Sequence, residues 1–328
     1  MKRFAVLAAI LGLALFAAVL AYSGLGDVAE AVAAAGWATA LVVLARAAAI
    51  IAEGVAWQLL FPPGQVLATG PSVLIRFIRE AVNQLLPVGQ VGGDFVGARV
   101  ATFFRCDGAL AGATIFADVA VQAATQFLFA LLGVAILFTL KGDGELVRYA
   151  ALGLALGAVA IAAFLLIQRG GTSAWLGAAL RRVSGGREWL GVAAIERLYA
   201  KLALVYQRPG RVATSAVIHL VVWILGSVEV WVALRFMGHP VTYAEAIVIE
   251  SLAQAVRGAA FAVPGGLGVQ EGGFIALCSL FGVPPGPAVA LSLLKRVADL
   301  ALGLPFLAVW QALEGRRAFG APVAEPPR

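Results

Sequence analysis

Long apolar stretches separated by short polar ones make up almost the whole chain. Six of them approach or exceed twenty residues: Phe4 to Tyr22, Trp37 to Phe61, Gly108 to Leu140, Leu146 to Gln168, Val212 to Met237 and Pro287 to Leu313. A helix needs about 20 apolar residues to cross a hydrocarbon core about 30 Å thick, so each stretch reads as a membrane span. Two other regions, Pro71 to Arg105 and Thr242 to Val283, cannot span as single helices. Each holds two short helix-compatible pieces around a break, "LLPVGQVGGD" at Leu85 to Asp94 and "AVPGGLGVQE" at Ala262 to Glu271. Proline and clustered glycine end a helix, and unwound backbone is tolerated at membrane depth only inside protein or beside a wet cavity. The pattern therefore predicts an all-α polytopic membrane protein with about six full spans and two re-entrant broken-helix hairpins.

The two breaks share their spacing. Pro87 and Pro264 are each followed by glycines and, seven residues on, by an acid, Asp94 and Glu271. Glu53 lies 34 residues before Pro87 and Glu229 lies 35 before Pro264; Asp118 is 31 after the first proline and Asp299 is 35 after the second. The span before the first hairpin and the span before the second run in opposite senses, because one unpaired span intervenes. An inverted repeat follows, with two hairpins as gates to one cavity. The expected segments are 1–36, a first span with an external amphipathic stretch; 37–140, the first repeat, with its hairpin at 71–105; 141–168, the unpaired span; 169–211, a basic amphipathic elbow; 212–315, the second repeat, with its hairpin at 242–283; and 316–328, a tail.

Composition agrees and adds orientation. The 328 residues are 62% hydrophobic and 13% charged, with a mean hydropathy of +0.94, outside the range of soluble domains. Of 24 basic residues, seventeen fall in connections assigned to one side and three, Lys141, Arg148 and Arg235, to the other. The positive-inside rule then puts both termini in the cytoplasm. The net charge of +6 is read as orientation and anionic-lipid contact, with no nucleic-acid partner. In the elbow, Trp189, Val192, Ile195, Tyr199, Leu202 and Tyr206 form an apolar stripe opposite Arg181, Arg182, Arg197 and Lys201, which suggests helices lying on the membrane surface. Cys106, Cys278, His219 and His239 are isolated, so no metal, haem or other cofactor is expected.

"REAVNQLLPVGQVGGDFVGARV", Arg79 to Val100, and "AQAVRGAAFAVPGGLGVQEGGF", Ala253 to Phe274, with "LSLLKRVADL" at Leu291 to Leu300 after the second, resemble the paired motifs of the flippase-like membrane domain of lysylphosphatidylglycerol synthases. They look closest to its hopanoid-biosynthesis-associated branch, HpnL. The resemblance covers nearly the whole chain and implies translocation of a polar lipid, with a hopanoid or related lipid as substrate. The synthase's aminoacyltransferase domain is not met before Arg328, so synthetic activity is not expected and the chain is not read as an enzyme.

Charges within a membrane are costly and face cavities or one another. Arg46 with Glu53, and Glu250 with Arg257, are each seven apart on one helix face; they either line a polar track or are neutralised by neighbouring helices. Asp94 and Glu271 begin short helices, where a carboxylate can cap free N–H groups, or hold substrate or a proton. Lys295 and Arg296 are placed to pair with Asp299. Arg76, Arg79, Arg99, Arg257, Lys295 and Arg296 surround the two hairpins and suit an anionic headgroup, whereas Glu80, Asp94 and Glu271 suit a polyol or amine. Asn83, Gln84, Gln90 and Gln270 either satisfy unwound backbone or touch the headgroup. The candidate substrate site is accordingly Arg79, Glu80, Asn83, Gln84, Pro87, Asp94, Arg99, Asp118, Arg257, Pro264, Gly266, Gly268, Gln270, Glu271, Arg296 and Asp299. Membrane lipids are the expected partners, with lipid-biosynthesis enzymes as further ones. Two other readings compete: a lipid-modifying membrane enzyme using Asp94 or Glu271 as general base, and a scaffold docking lipid-synthesis enzymes through the elbow.

Overall fold

The computed structural model describes residues 30, 33–86, 91–168, 190–260, 263 and 266–319, and every element among them is a helix. In chain order these are α1 (Ala38–Gln58), α2 (Thr69–Leu85), α3 (Gly92–Phe103), α4 (Gly108–Lys141), α5 (Glu145–Ile167), α6 (Leu190–Tyr206), α7 (Pro209–Phe236), α8 (Tyr243–Ala259), α9 (Val269–Ser279) and α10 (Pro285–Phe319). The first expected span, Pro87, Gln90, Pro264, the first elbow helix and the tail from residue 320 lie outside the described residues.

Four helices, α1, α4, most of α5 and α7, are long and apolar enough to cross a membrane. They correspond to the second to fifth apolar stretches. The sixth is inside α10, which is 35 residues long but carries Lys295, Arg296 and Asp299 through its middle. On α5, Leu152, Leu156, Val159 and Leu166 are exposed, the distribution expected of a helix bathed in lipid. Helix ends follow their local chemistry. Thr242 and Glu245 form a reciprocal capping box at the start of α8, with the Glu245 carboxylate accepting the Thr242 N–H at 2.7 Å, and Asp107 Oδ1 accepts the Leu110 N–H at 2.9 Å to start α4.

The principal packings follow one exchange. α1 packs on α2, α2 on α3 and α3 on α4, just as α7 packs on α8, α8 on α9 and α9 on α10. Across the two sets, α4 lies on α8 as α10 lies on α2, α4 lies on α7 as α10 lies on α1, and α1 and α7 meet each other. Close approach depends on small residues: a Cβ on Gly133 of α4 would fall 1.8 Å from Ser251 Oγ of α8, and one on Gly303 of α10 would fall 2.6 Å from Leu85 Cδ1 of α2.

Two apolar clusters sit toward opposite ends of these helices. One joins Val42, Leu137, Val230, Leu252, Phe274 and Leu291; the other joins Trp57, Ile78, Val100, Leu110, Ile115 and Leu202. Along α1 the first holds Val42 and the second Trp57, with Arg46 and Glu53 between them. A polar layer is thereby enclosed within an apolar protein. In the elbow, α6 turns Tyr199, Leu202 and Val205 into the second cluster and packs on α4. This part of the stripe is engaged by protein, with the Tyr199 hydroxyl donating to the Ile167 carbonyl at 2.9 Å, while Tyr206 stays 36% exposed.

Candidate functional site

The polar layer surrounds a cavity of about 270 Å³ between α1, α2, α4, α7 and α8, reached also by Val91 and Asp94 at the start of α3. Its charged lining is Arg46, Glu53, Arg76, Arg79, Glu80, Asp94, Glu229, Glu250 and Arg257, joined by Asn83, Gln84, Gln122, Gln126 and Gln254. An unpaired charge in such surroundings would be very costly, so the lining side chains are cross-linked from helix to helix.

Arg79 on α2 is the hub of one half. It is 1% exposed and donates from Nε to Asp94 Oδ1 at 2.9 Å and from Nη1 to Asp118 Oδ2 on α4 at 2.8 Å. Its guanidinium also lies over Trp57, 5.6 Å from the ring centroid, and Gly97 passes so close that a Cβ there would be 2.6 Å from Arg79 Cγ. Arg76, one turn earlier, grips Glu53 Oε2 of α1 at 2.8 Å and Gln122 Oε1 at 3.0 Å. Asp118 further accepts from Gln122 at 2.8 Å and meets His219 Nε2 of α7 at 3.1 Å. Asn83 Oδ1 accepts the Gly93 N–H at 2.7 Å, fastening the α3 start to α2.

Arg46 on α1 is the hub of the other half. It binds Glu229 of α7 through two bonds of 2.9 and 2.7 Å and Asp299 of α10 at 2.8 Å. Lys295 adds Glu229 at 2.8 Å and Glu250 of α8 at 3.0 Å. The halves meet where the Arg257 guanidinium of α8 donates to the Gln84 side-chain oxygen of α2; Gln84 in turn donates to Glu80 at 2.7 Å. Seven-residue pairs on α1 and α8 thus both line the cavity and find their partners on other helices. Two pairings differ from expectation. Lys295 and Arg296 do not bond Asp299, because α10 packs so that Lys295 faces two carboxylates of α7 and α8, while Arg296 turns to Glu271 at 2.8 Å.

Of the residues anticipated from sequence, Arg79, Glu80, Asn83, Gln84, Asp94 and Arg257 line the cavity, with Asp118 directly behind Arg79. Asp299 borders a small recess beside it, shared with Arg46, Glu80 and Gln84. Gln270, Glu271 and Arg296 form a separate buried cluster around Ser292, which donates to Glu271 at 2.8 Å and accepts from Gln270 at 2.8 Å. The Glu271 carboxylate also accepts the Gly268 N–H at 2.7 Å. Gly266 and Gly268 take φ of +60° and +76°, the left-handed backbone that glycine alone enters freely, and so make the turn into α9. Arg99 lies apart, 62% exposed and paired with Glu314. Residues that sequence reading left off the site are Arg46, Glu53, Arg76, Gln122, Glu229, Glu250, Lys295 and His219. Arg46, Glu53, Gln122, Glu229, Lys295 and His219 carried the signal of sitting inside apolar spans, whereas Arg76 and Glu250 are marked only by the partners that packing brings to them. Among the described residues no cluster of three His, Cys, Asp or Glu is placed to hold a metal.

Fold and site together define a multi-pass helical membrane protein with a charge-lined cavity, partly open, between its helices. A family model for the lysylphosphatidylglycerol synthase TM region matches residues 9–306, so the chain belongs to that family, one concerned with lipid handling. No curated protein and no solved structure gives a significant match.

Proposed function

We propose that the protein moves a polar lipid across the bacterial inner membrane by alternating access, passing the headgroup through the central cavity while the apolar tail stays in lipid. The observation that carries this reading is the cavity: about 270 Å³, enclosed by membrane helices and lined by carboxylates, guanidinium groups and amides. That volume is at the small end for a ligand pocket. It suits a polar headgroup better than a whole lipid. The exchangeable packing of α1–α4 with α7–α10 supports an inverted repeat in which the α2–α3 and α8–α9 hairpins gate opposite faces. In this reading six helices span, both termini face the cytoplasm, and the α2–α8 bridge of Gln84 and Arg257 is broken and remade during the cycle. The substrate is a hopanoid or a related polar lipid of the HpnL branch, released unchanged. Lipid-synthesis enzymes acting before or after translocation are the natural partners.

The test is leaflet redistribution in proteoliposomes holding a polar hopanoid and a labelled anionic phospholipid, followed by mass spectrometry of the same lipids. Protein-dependent movement with unchanged masses supports translocation. A new lipid mass without movement would replace it with an enzyme, and neither movement nor conversion would leave the scaffold reading.

A further inference from the structure

A second, smaller space adjoins the headgroup cavity. It lies between α1, α2 and α10 and measures about 10 Å³, room for about one water. Arg46, Ile50, Glu80 and Gln84 border both spaces, so the recess leads directly out of the site. Its remaining walls are Phe77 and Ala81 of α2 with Asp299, Leu302 and Gly303 of α10.

The place of this recess follows from the interval of 177 residues between Pro87 and Pro264. Carried forward by that interval, Arg46, Phe77, Glu80 and Ala81 fall on Trp223, Gln254, Arg257 and Gly258. Carried back, Asp299 and Gly303 fall on Gln122 and Gln126. Gln122, rather than Asp118, therefore stands 35 residues after Pro87 as Asp299 does after Pro264. All six counterparts line the main cavity, in the arm where α4, α7 and α8 meet. Of the other three recess residues, Gln84 maps to a position outside the described residues, and Ile50 and Leu302 map beside the wall residues Gly226 and Gln126.

Equivalent contacts differ between the two sides. On α10, Phe306 stacks on Phe77 of α2 with centroids 4.2 Å apart. Gly303 runs so near α2 that a Cβ there would be 3.6 Å from Ala81 Cα. The counterpart of Phe306 is Phe129 of α4, and it lies on Trp223 of α7 at 6.3 Å. The counterpart of Phe77 is Gln254, whose amide donates to Glu250 at 2.8 Å. An aromatic latch thus shuts the recess, and its equivalent ring is turned away from α8.

We infer that the recess is a second mouth of the headgroup site, shut in this structure, which opens between α2 and α10 as the α4–α7–α8 arm closes. This rests on the transport reading and adds where the second opening lies and which chemistry it presents. Exchange of two wall residues sets that chemistry, since Glu80 stands where the open arm has Arg257, and Asp299 where it has Gln122. Arg46, the cation of the recess, is already taken by Glu229 and Asp299. Glu80 accepts from Gln84 at 2.7 Å, and its nearest guanidinium, that of Arg76, stands at 3.6 Å. Its carboxylate therefore keeps capacity to accept. The second mouth takes the donor groups of a headgroup, hydroxyl or ammonium, whereas the first offers a guanidinium and amides.

Cys106 and Cys278 are the only cysteines, so full-length C106S/C278A provides a background for single thiols. Thiols react as thiolates, which form in water and not in lipid, so charged methanethiosulfonates report wet positions. In egg phosphatidylcholine proteoliposomes, L302C on the recess wall should react about tenfold or more slower than A123C on the open arm, as a mouth open in about 10% of molecules or fewer requires. It should still react faster than L304C, which is 57% exposed on the same helix but covered by lipid. A ring at position 123 holds the arm open, so A123F should bring L302C labelling down to the level of L304C. The cationic aminoethyl reagent should outpace the anionic sulfonatoethyl reagent at L302C by about fivefold relative to a free thiol, the effect of one excess negative charge nearby. L302C labelling no faster than that of L304C, or unaltered by A123F, overturns the second mouth. An anionic reagent as fast as the cationic one overturns the donor headgroup.

A81C/G303C gives a second reading without added bulk. The two Cα atoms lie about 5 Å apart or less, inside disulfide range. Oxidation to the disulfide should stop leaflet redistribution of a polar hopanoid, and dithiothreitol should restore it; redistribution unchanged by the disulfide overturns the mouth. A wild type that moves no lipid sinks the transport reading alone, because the labelling rates still decide whether the recess opens.

Discussion

Replacing Arg79 with glutamine should show whether the buried charge network holds the helices together. The guanidinium is 1% exposed and serves two carboxylates, Asp94 and Asp118, with bonds of 2.8 to 2.9 Å. Glutamine keeps a polar end but cannot match three donors or a charge. Asp118, fully buried, would retain Gln122 and His219 but lose its direct cation, and the nearest remaining guanidinium, that of Arg76, stands at 3.8 Å. Asp94 is 16% exposed at its side chain, so solvent screens part of its loss. Breaking one buried pair typically costs about 3–5 kcal/mol, and R79Q should fall in that range. The assay is unfolding of purified protein by titrating denaturing detergent into mixed micelles. Adding D118N removes the stranded charge, so the double variant should recover about 0.5–3 kcal/mol relative to the sum of the singles. R99Q, which cuts only an exposed pair with Glu314, should unfold like wild type. An R79Q variant as stable as R99Q, or strict additivity with D118N, would refute the network as a structural unit.

Further outcomes follow from named contacts. G133A should destabilise by about 1–3 kcal/mol through overpacking against Ser251, and S251G should restore most of that, read in the same unfolding assay. N83A strands the Gly93 N–H and should cost about 1–3 kcal/mol, with faster amide exchange at the start of α3. E271Q removes the carboxylate bonded to Arg296 but touches no cavity wall, so it should lower stability while leaving the lipid preference of any residual translocation unchanged; a changed preference would place Glu271 in the headgroup path. R257Q and Q84A, which cut the α2–α8 bridge, should each alter the translocation rate, whereas R99Q should not.

Elements were more legible in the sequence than partners. Apolar length alone marks α1, α4, α5 and α7, and the proline–glycine phrases mark the breaks that α2, α3, α8 and α9 border, because those signals are local. Asp94 and Glu271 both read as acids starting a helix, yet among the described residues Glu271 accepts a preceding backbone N–H while Asp94 is bonded to Arg79. Which residue waits across a helix interface depends on packing that spacing along one chain does not encode. Lys295 has Asp299 one turn away and still bonds Glu229 and Glu250, since a buried ammonium is best satisfied by several carboxylates at once. His219 seemed isolated because its partner is 101 residues away. The stripe on α6 was legible as a stripe, but amphipathic spacing does not distinguish lipid from the side of α4.

The most direct test of the account fills the cavity without touching a charge. Ala123 lies on its wall between Val119 and Gln126, and A123F would place a ring in a space of about 270 Å³. Measured in proteoliposomes beside wild type, with unfolding midpoints for both, A123F should abolish leaflet redistribution of the polar lipid while the protein stays folded. Redistribution at the wild-type rate in a folded A123F variant would contradict passage of the headgroup through this cavity.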